Sequence, residues 1–84
     1  MKPILSVCII TKNEKENLKK CITALKKDLF EIIVVDTGSN DGTQQMLEQM
    51  KSVQLEHFTW CNDFATAKNY AISKASNDMV MVID

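Results

Sequence analysis

The stretch Glu31-Ile32-Ile33-Val34-Val35-Asp36-Thr37-Gly38-Ser39-Asn40-Asp41-Gly42-Thr43 decides the fold. Four consecutive β-branched apolar residues, Ile32 to Val35, are the pattern of a short strand buried on both faces. The run stops at Asp36. From Thr37 to Gly42 the residues are turn formers throughout, and Met46, Leu47 and Met50 then predict a helix. A strand, a polar turn and a helix make half of a βαβ unit, and the same order recurs on either side.

Upstream, Ile4, Leu5, Val7, Cys8, Ile9 and Ile10 form a nearly continuous apolar run that predicts a first buried strand. Asn13 is a good helix N-cap, with Glu16 three residues on in the capping-box position. Leu18, Cys21, Ile22 and Leu25 then recur at helical spacing. Lys15, Lys19, Lys20, Lys26 and Lys27 fall mostly outside that stripe and read as a solvated face. Downstream, Val53 to Phe58 alternates loosely as a third strand. Asn62 or Asp63 would cap a third helix with Phe64, Ala67, Ala71 and Ala75 on one side, and Met79 to Ile83 predicts a fourth strand before Asp84. The order β-α-β-α-β-α-β predicts an α/β fold of three layers, α/β/α, around a mainly parallel four-stranded sheet with right-handed crossovers. A hydrophobic strand at the very end would leave a bare sheet edge, so residues 1–84 are expected to be the N-terminal part of a longer protein rather than a naturally small domain.

Composition narrows the function. The chain has 84 residues, 45% hydrophobic and 25% charged, with a net charge of −1, which suits one soluble domain. Ten lysines against eleven acids provide no basic field for a nucleic acid. No apolar run is long enough to span a membrane, and Met1-Lys2-Pro3-Ile4 lacks a signal-peptide layout, so a cytoplasmic location is expected. Cys8, Cys21 and Cys61 are widely spaced without a C-x-x-C pair, and Cys8 and Cys21 read as small core residues. With a single histidine, His57, a Cys/His nucleophile is disfavoured, and no zinc-ligand set converges.

In open parallel sheets ligands sit beyond the carboxyl ends of the strands. The residues emerging there are Thr11-Lys12-Asn13-Glu14, then Asp36-Thr37-Gly38-Ser39, then Asp84. The two glycines, Gly38 and Gly42, both follow the second strand, so the glycine-rich phosphate turn of NAD and FAD folds is absent, as is a Walker A loop. A pyrophosphate here would need a cation instead, with Asp84 placed for a divalent metal and Lys68 as a candidate side-chain cation.

Val7-Cys8-Ile9-Ile10-Thr11-Lys12-Asn13-Glu14 and the stretch from Glu31 to Thr43 resemble the opening of family 2 glycosyltransferases. Phe58-Thr59-Trp60-Cys61-Asn62-Asp63-Phe64-Ala65 with Ala67-Lys68-Asn69 is similar to a further block of a bacterial subgroup, and Met81 to Asp84 to the strand leading into that family's Asp-x-Asp motif. The resemblance covers nearly the whole chain in order. It implies a truncated half of the Rossmann-like GT-A fold and a nucleotide-sugar donor, most simply a UDP-sugar, used by an inverting transferase acting on an unknown acceptor. Thr11 and Glu14 would line the nucleoside pocket. Asp36 would accept from the uracil ring N–H, which suits a carboxylate that only accepts. Asp84 would be the first acid of Asp-x-Asp, beside the ribose and a Mn²⁺ or Mg²⁺ that this portion alone does not hold firmly. Lys68 stands where the family has arginine. The general base is implied beyond residue 84, so the chain alone is expected to be inactive.

Each residue also has a plainer role available: Asp36 as the start of a turn, Glu14 as a first-turn acid, Lys68 as a surface lysine, Asn62 and Asp63 as caps, and Phe58, Trp60 and Phe64 as one packing cluster. The competing functions are a non-catalytic binding or assembly module whose fourth strand pairs with a partner edge or with itself, and a flavodoxin-like or receiver-like signalling domain. The latter lacks the acidic pair needed after the first strand.

Overall fold

The computed structural model describes residues 5–25, 30–50, 53–59, 63–77 and 79–83. In chain order the elements are β1 (Leu5–Thr11), α1 (Lys15–Ala24), β2 (Phe30–Asp36), α2 (Thr43–Glu48), β3 (Val53–His57), α3 (Phe64–Ser73) and β4 (Val80–Ile83). The four strands form one sheet in the order β3-β2-β1-β4, and every pairing is parallel. The expected α/β architecture is therefore present.

Strand alternation divides the core in two. Val7, Ile9, Ile32 and Val34 point to one face and pack with Leu18 and Ile22 of α1 and Leu47 of α2. Cys8, Ile33 and Val35 point to the other, where they meet Ala71 of α3. Helices thus cover both faces, which is why the two central strands are apolar at nearly every position. Ala67 and Ala71 are fully buried, and such small side chains let α3 lie close to the sheet: the Cys8 thiol donates to the Ala71 carbonyl at 3.5 Å.

Winding sets the location of the site. The chain steps outward from β1 to β2 to β3, then returns past β1 to β4, so the direction reverses beside β1. The register aligns Thr11 with Asp36 and Asp36 with His57. Three strands therefore end level, with Asp36 in the middle.

Several local expectations need correction. Asn13 does not cap α1. It adopts a left-handed conformation, φ 53°, which asparagine tolerates better than most residues, and Glu14 occupies the cap position without a side-chain cap bond. The helix end is satisfied from the neighbouring loop, where Asp41 accepts from the Lys15 N–H at 3.3 Å. Phe64 is exposed rather than packed, and Phe58 pairs instead with Tyr70, ring centroids 5.0 Å apart. Ala75 lies past the end of α3 but still packs on its core. Asp63 caps α3 as expected, accepting from the N–H groups of Ala65 and Thr66. Lys26, Lys27, Trp60, Cys61, Asn62 and Asp84 lie outside the described residues.

Candidate functional site

The loops that leave β1 and β2 are tied together above the sheet. The Thr37 N–H and hydroxyl both donate to the Thr11 carbonyl at 3.0 Å. The Asn13 N–H donates to the Ser39 hydroxyl, and the Asn40 N–H to the Asn13 side-chain oxygen, each at 2.8 Å. The left-handed turn at Asn13 is what brings its backbone and side chain to the second loop together.

Asp36 sits beneath this clamp and is 1% exposed. Its Oδ2 accepts from the N–H of Ser39 at 3.0 Å, the N–H of Gly38 at 3.3 Å and the side-chain amide of Gln44. Its Oδ1 accepts from the Ser39 hydroxyl. Burial pushes the carboxyl up, but the donors of Ser39, Gln44 and Gly38 outweigh it and hold Asp36 below the usual aspartate range. The result is a buried carboxylate, ionised at neutral pH, with one oxygen heavily subscribed and the other carrying a single bond among the described residues.

Among the hollows at this end of the sheet, one borders the strand-end residue Thr11 and another borders Asp36. The larger, about 390 Å³, lies at the winding reversal and is bounded by Ile9, Thr11, Glu14, Leu18, Cys21 and Ile83 among others. Thr11 is 5% exposed, and its hydroxyl has no hydrogen-bond partner among the described residues. A buried hydroxyl left unpaired costs about 1–3 kcal/mol, which a bound polar group would recover. Glu14 is exposed at the rim and accepts from the Asn17 amide at 2.9 Å. The second hollow, about 260 Å³, is lined by Asp36, Thr37, Gly38, Gln44, His57, Phe58 and Thr59. Thr11 and Asp36 are thus register partners on one face, the first lining one hollow and the second the other.

Lys68 is exposed on α3 and lines neither hollow. Among the described residues, no three His, Cys, Asp or Glu side chains converge as metal ligands, and the metal-side acid expected from the sequence, Asp84, lies outside them. Burial, reinforced by the charge of Glu31, pushes the Cys8 thiol up, so it is no nucleophile.

Gln44 and His57 of the second hollow, and Asn13 of the clamp above it, have roles that the sequence does not signal. Gln44 is an ordinary helix residue by composition, eight positions beyond the strand-end acid that it contacts. His57 was read as a plain strand residue, yet it ends β3 beside Asp36. Asn13 was read as a cap because that is the residue's commonest work before a helix.

Comparison with known proteins fits this geometry. The family described as Glycosyl transferase family 2 matches residues 6–84. A TPR repeat-containing protein of Synechococcus elongatus is 38% identical over 80 residues, 95% of this chain and 20% of that protein. The SPbeta prophage-derived glycosyltransferase SunS of Bacillus subtilis is 35% identical over 83 residues, 98% of this chain and again 20% of the relative. The chain therefore spans about a fifth of the length of these relatives. Among solved structures, the mannosyltransferase PcManGT of Pyrobaculum calidifontis, in complex with GDP-Man and Mn²⁺, superposes with a TM-score of 0.72 at 25% identity, covering 95% of this chain and 26% of its own. S. aureus TarS residues 1–349 superposes at 0.76 with 24% identity over 96% of this chain and 27% of its own, a likeness of fold.

Proposed function

Because the chain belongs to glycosyl transferase family 2, we propose that it is the donor-binding portion of an enzyme that moves a sugar from a nucleotide to an acceptor. The observation that carries this reading is Asp36, a buried carboxylate kept ionised by its own turn and bordering a hollow at the carboxyl ends of the strands. An acceptor-only group in that position suits a nucleobase ring N–H, and uracil supplies one. The unpaired Thr11 hydroxyl and the Glu14 carboxylate in the adjacent hollow then suit the ribose hydroxyls. Lys68 and Asp84 are assigned to the diphosphate side, and we read the domain boundary as lying beyond residue 84.

In this account the residues present bind and orient the donor. Asp36 is committed to its turn and to the base, so acceptor deprotonation and in-line, inverting attack at the anomeric carbon belong to groups outside these 84 residues. A divalent cation would stabilise the departing diphosphate; among the described residues no three His, Cys, Asp or Glu side chains converge to hold one. The odd number of cysteines, with Cys8 and Cys21 free, favours action in the cytoplasm.

The test is calorimetric titration of the chain with UDP. Binding that Asp36→Asn weakens by about tenfold or more supports the reading, since one charge-assisted hydrogen bond is worth about that much. Equal affinity in the variant contradicts it. Turnover of a UDP-sugar by the 84-residue chain would contradict the division of labour.

A further inference from the structure

We propose that Gln44 sets the base preference of this site, by occupying the side of Asp36 Oδ2 that borders the second hollow and leaving Oδ1 to accept one ring N–H. The proposal rests on the reading that this hollow takes the donor base.

The argument is a count of acceptors against donors. An ionised carboxylate has about four lone-pair directions, two on each oxygen. Among the described residues, Oδ2 already receives three donors, from Gly38, Ser39 and Gln44, whereas Oδ1 receives the Ser39 hydroxyl alone. The Gln44 amide must turn its nitrogen toward Asp36, because its oxygen would meet a group that cannot donate. Gln44 and Asp36 border the same hollow, while the two backbone donors belong to the turn itself. Among the described residues, Gln44 is therefore the side chain that both occupies Oδ2 and lines the hollow.

The two common donor bases respond differently. Uracil presents one ring N–H flanked by carbonyl oxygens, which a single free oxygen satisfies. Guanine presents a ring N–H beside an exocyclic amino group, and pairs with a carboxylate through both oxygens at once. At this site one of its two donors would be left unpaired in a desolvated pocket, a penalty of the kind that gives polar sites their selectivity.

The experiment titrates the chain with UDP and with GDP, each in the presence of Mg²⁺, for the native protein, Gln44→Met and Gln44→Lys. Methionine keeps the volume and removes the donor, whereas lysine restores an N–H donor toward the carboxylate. The native chain is expected to prefer UDP, Gln44→Met to lose about tenfold of that preference through tighter GDP binding, and Gln44→Lys to keep it. A Gln44→Met ratio within about twofold of the native one overturns the proposal while leaving nucleotide binding intact, as does a native preference for GDP. If the native chain binds neither nucleotide, the reading beneath falls and the proposal with it.

Discussion

Asp36 serves its turn and faces a hollow with the same carboxyl, and its pH behaviour follows from that double use. Its native carboxyl titrates below the unfolded value of about 3.9, so in that window the unfolded chain binds a proton that the native chain does not. Stability from this group is therefore complete above the unfolded pKa and is lost as pH falls through the native one. Urea unfolding between pH 6 and pH 3, both round figures for about this window, should show an acid loss in the native chain that Asp36→Asn lacks. The variant should also be about 1–3 kcal/mol less stable at neutral pH, since it replaces a charged acceptor of four bonds. Gly42 makes a second residue-scale case. At φ +93° it is in the left-handed region, where an added Cβ would also come within 3.2 Å of Lys15 Nζ. That lysine end moves easily, so the backbone term dominates, and Gly42→Ala should cost about 1–2 kcal/mol by thermal unfolding.

The elements divide by how local their causes are. Strands β1 and β2 and helix α1 were legible because their apolar periods are long and the burial they predict is real: Val7, Ile9, Leu18, Ile22, Ile32 and Val34 share one core. The Asp63 cap was legible too, because its bonds run to residues two and three positions on, and Asp63→Ala should cost about 1 kcal/mol. The start of α1 was not. Its first N–H is satisfied by Asp41, 26 positions away, and no window along the chain contains that pairing. Gln44 was hidden for the same reason, since its contact with Asp36 exists only once β2 and α2 are folded side by side. Packing on the other face is tighter than its sequence suggests. Ala71→Leu would push α3 off the sheet against Cys8, and should cost about 1–3 kcal/mol by denaturant unfolding.

Across the whole molecule, a second hydrogen-bonded cluster lies at the other end of the sheet from the proposed site. At the amino ends, Glu31 accepts from the Ser6 hydroxyl at 2.7 Å and the Ser76 N–H at 2.8 Å, while Asn77 donates to the same serine. Glu31→Gln should therefore lower stability by about 1–2 kcal/mol and leave nucleotide affinity unchanged, whereas Gln44→Met should shift the preference between UDP and GDP. The acidic strand ends and the lack of a glycine-rich phosphate turn were visible in the sequence, but the split into two adjacent hollows depends on the register that sets Thr11 beside Asp36. The most direct measurement is an amide-resolved NMR titration of the chain with UDP. The account predicts shifts at Thr11, Glu14, Asp36, Thr37 and Gln44, with Ser6, Glu31 and Asn77 silent. Shifts confined to the amino ends of the strands or to β4, or none at saturating UDP, would contradict it.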